Sequence, residues 1–328
     1  MLQALYYYQT DCTDPHRNLA VEQYLLEHTP KNCCTLYLWQ NRNTVVIGRN
    51  QNAWVECRTG LLEQEGGILA RRLSGGGAVY HDLGNLNFTF LTDSEHYDLD
   101  RQLRVIQTAC AHVGIRAEKS GRNDLLAEGH KFSGNAFYHN QTQSYHHGTL
   151  LIDVDMDKLT RYLSPPKAKL EAKGVTSVRS RVINLNTLCP TLTCQTMRGH
   201  MLTAFEEVYG LRAQPFRIPE DALAEIEINA AKNASWEWLY GARLPFSFRC
   251  EAKYPWGYTE LQLELKAGTV THVKCYTDAM EWDLSAAVEA ALTGCRFDRT
   301  QLRNALSASP LPAQIALDLC ALLEQQDF

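Results

Sequence analysis

RRLSGGGAVYHD, residues 71–82, places three consecutive glycines between two short strand-like runs. Glycine lacks a Cβ atom, so the backbone there can adopt positive φ and lie close to a ligand. Successive N–H groups in such a turn can converge on an anion, and arginine presents a forked donor set suited to carboxylate and phosphate. The alternative is a plain hairpin with solvated arginines. Three glycines would weaken a hairpin, so the stretch predicts a ligand-binding loop.

The loop excludes two common nucleotide motifs but does not by itself name its ligand. No Gly-Lys-Ser/Thr follows the glycines, so this is not a P-loop, and no helix-like stretch follows, so it is not a dinucleotide fingerprint. Adjacent strand residues face opposite sides, so we expect one of Arg71 and Arg72 to reach the ligand.

Composition places the chain among globular proteins and excludes several classes. It has 328 residues, of which 45% are hydrophobic and 21% charged, which fits one large domain with a small one. A net charge of −5 argues against a general nucleic-acid surface. No apolar run is long enough to span a membrane, and no secretion signal is visible. Eleven scattered cysteines without a Cys-x-x-Cys pair predict reduced thiols in a cytoplasmic protein, which we expect to be a monomer.

Outward from the loop, strands and helices interleave without a regular βαβ rhythm, which favours an α+β fold. Asp14-Pro15 predicts the start of a helix, with aspartate as cap and proline in the first turn. Residues 54–65 predict one further helix. Residues 131–138 and 145–152 predict strands, and residues 236–238 are also expected at a strand.

A domain boundary is predicted at residues 241–245, which carry glycine and proline. We expect a large catalytic domain over residues 1–245. Residues 246–328 predict a small accessory domain made of a β-sheet with helices on one side.

Lysine at the start of the 131–138 strand is the next informative feature. In a strand Lys131 and Ser133 face the same side, and a lysine in a mainly apolar sheet needs an anion. Asp124 or a bound phosphate would provide one. The alternatives are a strand-end lysine with its head in water, Asp124 as a turn cap, and His147 as a core histidine.

Residues 164–180 form a long stretch with Pro165-Pro166 and several basic side chains. Long ordered loops in compact domains often act as lids, although a solvated basic loop is the simpler alternative. A glycine loop, arginines, one inward lysine and a basic lid together suit nucleotide chemistry at a carboxylate. Catalysis there would consist of positioning and charge stabilisation, and Asp124 could hold Mg²⁺ beside phosphates.

Five segments in this order resemble the lipoate–protein ligase A family, which shares its fold group with biotin–protein ligases. They are RRLSGGGAVYHD at 71–82, SGRND at 120–124, KFSGNA at 131–136, HHGTL at 146–150 and KGVTSVRS at 173–180. The resemblance implies a large mixed-sheet catalytic domain of the biotin/lipoate ligase type and a small α+β accessory domain, where Tyr254-Pro255-Trp256-Gly257 is the best local match.

The resemblance also implies a two-step reaction with ATP and Mg²⁺. Lipoate becomes lipoyl-AMP with release of pyrophosphate, and the acyl group then passes to a lysine. The expected acceptors are apo lipoyl domains of 2-oxoacid dehydrogenase E2 subunits and glycine-cleavage H protein. Two alternatives stay open: a lipoyl or octanoyl transferase without adenylation, and a non-catalytic paralogue that binds lipoate.

Site residues follow from the matched motifs. Lys131 is the expected catalytic residue, and Asp124 the expected metal ligand. ATP and lipoyl-AMP would contact Arg72, Ser74, Gly75, Gly76, Gly77, Ala78, Val79, Tyr80, Asn123, Asp124, Lys131 and Ser133. The lipoate pocket would contain His147, Gly148 and Thr149, and the adenylate-binding loop Lys173, Gly174, Thr176, Ser177, Val178 and Arg179. Asn135 departs from the family, which usually has serine there, so the preference for lipoate over octanoate is open.

Overall fold

The computed structural model describes residues 2–51, 53–121, 123–163, 182–239, 248–266, 269–297 and 299–326. Its largest sheet contains eight strands: β1 (Ala4–Gln9), β2 (Cys33–Trp39), β6 (Asn85–Asp93), β7 (Glu118–Ser120), β8 (Asp124–Ala127), β9 (His130–His139), β10 (Gln143–Leu151) and β11 (Ala213–Pro215). Their order is β11-β1-β2-β6-β10-β9-β8-β7. β1 runs parallel to β2 and β11, and the pairs from β2 to β7 are antiparallel.

Helices cover both faces of this sheet because its central strands are apolar on both sides. All seven residues of β2 are buried. Its Leu36 and Leu38 pack towards α4 (Leu99–Ala111) and α6 (Cys194–Tyr209). The alternate residues Tyr37 and Trp39 pack towards α1 (Pro15–His28) and α7 (Leu223–Ala234). Period-two alternation therefore builds two cores from one strand.

The start of α1 confirms the predicted cap. The Asp14 side chain accepts hydrogen bonds from the backbone N–H groups of His16 and Arg17, and Pro15 occupies the first turn. Since α1 lies against β2, this cap fixes where its buried face begins.

A second sheet, ordered β4-β3-β5, carries the glycine loop. It consists of β3 (Thr44–Ile47), β4 (Ile68–Arg71) and β5 (Val79–His81). The glycines connect β4 to β5. Between β3 and β4 lie α2 (Ala53–Glu56) and α3 (Thr59–Gln64).

The single helix predicted over 54–65 is therefore wrong, because the helix breaks at Cys57 and Arg58. Cys57 forms a β-bridge with Leu163. The backbone N–H of Arg58 donates to the Tyr162 carbonyl at 3.0 Å. Tyr162 ends α5 (Met156–Tyr162), so pairing with α5 and the residue after it replaces the helical hydrogen bonds.

The C-terminal part is an antiparallel sheet of β12 (Phe248–Tyr254), β13 (Gly257–Lys266) and β14 (Thr269–Thr277). Three helices pack on it and share its core: α9 (Leu284–Leu292), α10 (Arg299–Ser307) and α11 (Ala313–Glu324). The α+β class is confirmed. The boundary near residue 245 falls on residues 240–247, outside the described part, and stays a prediction.

The strand predicted at residues 236–238 is wrong, because these residues form the short helix α8 (Trp236–Leu239). Ser235 starts it: its hydroxyl accepts from the Trp238 N–H at 3.2 Å and its carbonyl from the Leu239 N–H at 3.0 Å. A local serine cap thus outweighs the strand preference of two tryptophans.

Two further sequence-based statements can be compared with the structure. Every cysteine has a free thiol, and seven of the eleven are buried, as predicted for thiols without disulfides. Among the described residues, no helix is both long and apolar enough to cross a membrane.

Candidate active site

A cavity of about 230 Å³ lies where the glycine loop, the start of β8, the strands β9 and β10, and the C-terminal part meet. Twelve of the predicted site residues line it: Arg72, Gly76, Gly77, Ala78, Val79, Tyr80, Asn123, Asp124, Lys131, His147, Gly148 and Thr149. Ser74, Gly75 and Ser133 are not among the lining residues. The predicted loop residues 173–179 lie outside the described part of the chain.

Arg71 is turned away from the cavity. Its guanidinium donates to the carbonyls of Arg49 at 2.8 Å and Gln51 at 2.7 Å. It also donates to the carbonyls of Trp238 at 2.8 Å and Leu239. Arg71 therefore ties β4 to the start of α2 and to α8.

Arg72 faces the cavity, but its guanidinium is engaged by the loop itself. It donates to the carbonyls of Gly75 at 2.7 Å, Gly77 at 2.8 Å and Val46 at 3.1 Å, and to the Ser74 hydroxyl at 3.1 Å. Burial lowers the pKa of Arg72 to about 10, which leaves it charged at neutral pH. The geometry shows Arg72 holding the glycine turn in shape.

The three glycines serve different purposes. A methyl group on Gly75 would overlap the carbonyl oxygen of Ala279, and the Gly76 N–H donates to that oxygen at 3.2 Å. Gly76 adopts a φ of +89°, a conformation that favours glycine. By contrast, a Cβ on Gly77 would meet no atom within 4 Å. Gly75 is required because the C-terminal part approaches the loop closely here. The sequence had instead predicted that a ligand makes this close approach.

The C-terminal residues that follow β14 also close one side of the cavity, where Asp278 and Met280 line it. The Thr277 N–H donates to the Asn50 carbonyl at 2.8 Å, and the Asn50 amide donates to the Trp282 carbonyl at 3.1 Å. Asp278 and Met280 were not predicted from the sequence, because nothing local marks a strand end that contacts a loop two hundred residues earlier.

Lys131 and Asp124 form an ion pair on the opposite wall. The Lys131 Nζ lies 2.6 Å from Asp124 Oδ1, and the two side chains are 23% and 19% exposed. The register of β8 and β9 shifts between Leu125 and Leu126. This shift interrupts the strand alternation from which Ser133 was predicted to face the same side as Lys131. Ser133 is fully buried. The Ile183 N–H donates to the Lys131 carbonyl at 2.9 Å.

His147 is held by side chains of two distant elements. Its Nδ1 lies 2.8 Å from Glu22 Oε1, and its Nε2 lies 2.7 Å from Ser74 Oγ. All three residues are buried. His147 is therefore a buried histidine, as the core-histidine alternative expected, but its hydrogen-bond partners are side chains and not the backbone. Sequence analysis missed Glu22. The sequence feature that could have identified Glu22 is a carboxylate three residues after Leu19, on the buried face of α1.

Two buried nitrogen atoms in residues that line the cavity have no partner in the described structure. His81 Nδ1 lies 3.2 Å from the Asn41 amide nitrogen, while His81 Nε2 is buried and unpaired. The Asn87 amide nitrogen is likewise buried and unpaired, and both residues line the cavity. Burial, with Arg72 nearby, lowers the pKa of His81 to about 3, so its imidazole is neutral. A buried unpaired N–H is costly, and neither nitrogen has surface open to the cavity.

Comparison with known proteins places this chain in a family. Residues 14–206 match the lipoyl protein ligase A/B catalytic domain, and residues 244–320 match the bacterial lipoate protein ligase C-terminus. The chain is 40% identical to lipoate-protein ligase A of Blochmanniella pennsylvanica over 282 residues, 83% of each chain. The chain belongs to the lipoate–protein ligase A family. The resemblance stated from the five motifs is thereby confirmed.

Solved structures confirm the expected lipoate ligase fold. P. falciparum LipL1 in complex with lipoate superposes with a TM-score of 0.85 at 24% identity, covering 98% of this chain and 99% of that one. A lipoate-protein ligase A bound with ATP gives 0.63 at 24% identity, covering 74% and 99%. The bipartite ligase of Thermoplasma acidophilum, studied with its E2 lipoyl domain, gives 0.65 at 24% identity, covering 76% and 100%.

Proposed function

We propose that this protein is an ATP-dependent lipoate–protein ligase that forms lipoyl-AMP and then acylates a lysine of an apo lipoyl domain. The observation that carries the proposal is the Lys131–Asp124 pair, whose atoms lie 2.6 Å apart at the wall of the cavity beside the glycine loop. Family membership and a solved relative bound with ATP support it.

In the first step the lipoate carboxylate attacks the α-phosphorus of ATP. A new oxygen–phosphorus bond forms, the bond to the β-phosphate breaks, and pyrophosphate leaves. A carboxylate is already a nucleophile at neutral pH, so the protein has to position it and offset negative charge. We assign the charge to Lys131, which sits at the polar wall. The backbone of Gly76 to Tyr80 provides close approach along the opposite wall.

In the second step the acceptor amine attacks the acyl carbon of the mixed anhydride. A carbon–nitrogen bond forms, AMP leaves and the amine gives its proton to solvent. We assign Lys131 to stabilise the phosphate of the departing AMP, since it lies beside Asn123 and Asp124 in the lining of the cavity. His147, Gly148 and Thr149 are assigned to the acyl chain, with Glu22 and Ser74 orienting His147.

Magnesium fits this site as a partner of ATP. No group of three or more histidine, cysteine, aspartate or glutamate side chains in the described ranges could hold a metal by itself. Mg²⁺ characteristically binds phosphates and water with one or two carboxylates, and Asp124 provides one carboxylate at the cavity. The ion would neutralise phosphate charge there, and Lys131, already paired with Asp124, would keep that carboxylate oriented.

Apo lipoyl domains of 2-oxoacid dehydrogenase E2 subunits and glycine-cleavage H protein are the acceptors we infer from the family. We further infer a monomer that acts in the cytoplasm, without nucleic-acid or membrane partners.

The test is acylation of an apo lipoyl domain, followed by mass spectrometry of the acceptor. With lipoate, ATP and Mg²⁺ we expect the acceptor to gain one lipoyl group, and without ATP we expect no change. Acylation from a carrier-bound acyl group in the absence of ATP would indicate a transferase instead. Tight lipoate binding with no pyrophosphate release and no acylation would indicate a binding protein.

A further inference from the structure

Asn135 occupies the position where the family usually has serine, and in the structure it joins the turn before β8 to β9. Its backbone N–H donates to the Asn123 carbonyl at 2.9 Å, and its side-chain amide donates to the same carbonyl at 3.0 Å. In return the Asn123 side-chain amide donates to the Asn135 carbonyl at 2.9 Å. Three hydrogen bonds therefore tie Asn123, the residue before Asp124, to Asn135, and the Asn135 side chain makes one of them.

The Asn135 side chain is itself oriented from behind. Its Oδ1 lies 2.7 Å from His146 Nε2, and His146 Nδ1 lies 3.2 Å from Gln102 Oε1 on α4. His146 and Gln102 are fully buried and Asn135 is 3% exposed. Burial holds the pKa of His146 well below its usual range, so the ring is neutral and carries one proton.

One placement of the hydrogens satisfies the whole hydrogen-bonded series from Gln102 through His146 and Asn135 to Asn123, with every bond pointing the same way. The Gln102 amide nitrogen has no partner as placed, and turning the amide by 180° sets it against His146 Nδ1. Gln102 then donates to His146, His146 donates to Asn135, and Asn135 donates to Asn123. A serine hydroxyl is one atom shorter and has one proton, so it reproduces fewer of these contacts.

The neighbouring strand is shaped around the same side chain. Gly148 pairs with Asn135 across β9 and β10. A Cβ on Gly148 would lie 2.9 Å from Asn135 Oδ1 and 2.6 Å from Phe88 Cζ, closer than real Cβ atoms approach. Glycine at 148 is thus required by packing against Phe88, the Gly134 carbonyl oxygen at 2.7 Å and Asn135 together, in addition to lining the cavity.

We propose that Asn135 is a positioning residue, which fixes Asn123 and thereby holds Asp124 at Lys131 for the adenylation step. This inference rests on the proposed function for its kinetic part only. A displacement of about 1 Å at a reacting centre can lower a rate about 10²-fold. Loosening the Asn123 turn therefore acts on adenylation through Lys131 and Asp124. Asn135 itself also lines the cavity, so KM for lipoate shows whether the substitution removes a ligand contact as well.

The test compares Asn135→Ala with Asn233→Ala. Asn233 is also buried and its amide donates to the His16 carbonyl at 3.1 Å, but it does not line the cavity. We expect Asn135→Ala to lower kcat for lipoate-dependent pyrophosphate release about 10- to 100-fold, with KM for lipoate within two-fold. Asn233→Ala should lower Tm and leave kcat unchanged. Equal kcat in the wild type and Asn135→Ala would overturn the proposal.

Two more measurements separate positioning from general loss of structure. Asn123→Ala combined with Asn135→Ala should lose no more than the larger single variant, and additive losses would contradict action through Asn123. Hydrogen exchange over residues 118–127 should be faster in Asn135→Ala than in Asn233→Ala, and equal exchange would also contradict it. This readout needs no turnover, so it tests the contact even if the wild type fails to acylate an acceptor.

Discussion

The two long walls of the cavity use their cations in opposite ways. On the glycine wall, the Arg72 guanidinium donates hydrogen bonds to the carbonyls of Gly75, Gly77 and Val46. This side chain is only 6% exposed. On the β8–β9 wall, the Lys131 side chain is 23% exposed, and its Nζ forms an ion pair with Asp124 Oδ1. A guanidinium suits several fixed carbonyls, whereas an ammonium on a flexible stem suits a ligand that arrives and departs.

The contrast predicts that Lys131 matters for rate and Arg72 for structure. The largest effect is expected for Lys131→Ala, which should lower lipoate-dependent pyrophosphate release about 10²–10³-fold, the scale for losing one transition-state donor. Its Tm should stay close to the wild type, since the side chain is partly exposed. The matched control is Lys119→Ala, which removes an exposed pair with Asp100 at 3.2 Å. Near-wild-type turnover in Lys131→Ala would remove Lys131 from the mechanism.

Arg72→Ala should lower the free energy of unfolding by about 2–3 kcal/mol, because it leaves buried carbonyls of the glycine loop unpaired. Arg72→Lys should recover little of this, since an ammonium lacks the fork. Urea unfolding measures both, with Arg104→Ala as an exposed arginine control on α4. If Arg72→Ala instead kept full stability and lost only ligand affinity, the division of roles between the walls would be wrong.

Gly75→Ala should lower the free energy of unfolding by about 1–3 kcal/mol, the range for overpacking, because the methyl group meets the Ala279 carbonyl. Gly77→Ala has open space around its Cβ and should be close to neutral for stability. Hydrogen exchange over residues 277–282 should rise in Gly75→Ala alone. Unchanged exchange there would show that the loop does not depend on the C-terminal part.

The last prediction concerns the pH dependence of stability. His81 has its pKa lowered to about 3 by burial, below its unfolded value of about 6.5. Stability from the neutral ring is therefore complete above about pH 6.5 and falls by about 1.4 kcal/mol per unit as pH drops towards 3. His81→Asn should flatten unfolding curves between pH 4 and 6, roughly the window this shift defines, while the exposed control His272→Asn should not. Equal slopes in both variants would contradict a neutral buried His81.

The sequence predicted the α+β class, the cap of α1 and most strands because those signals are local: caps, alternation and glycine. Motif order also brought Lys131, Asp124 and Asn123 to one cavity. It did not reveal that Gly75 is required by Ala279, that Glu22 holds His147, or that Asn135 ties Asn123 to His146. Each of these joins elements distant in the chain, and the register shift at Leu125 has no local signature either.

The most direct test of the account is to look for lipoyl-AMP on the enzyme. The wild type is incubated with lipoate, ATP and Mg²⁺ but without an acceptor, then denatured, and the released small molecules are identified by mass spectrometry. We expect lipoyl-AMP in an amount comparable to the enzyme, with equal pyrophosphate, and loss of both in Lys131→Ala. Recovery of intact ATP and unmodified lipoate from an enzyme that still binds both would contradict it.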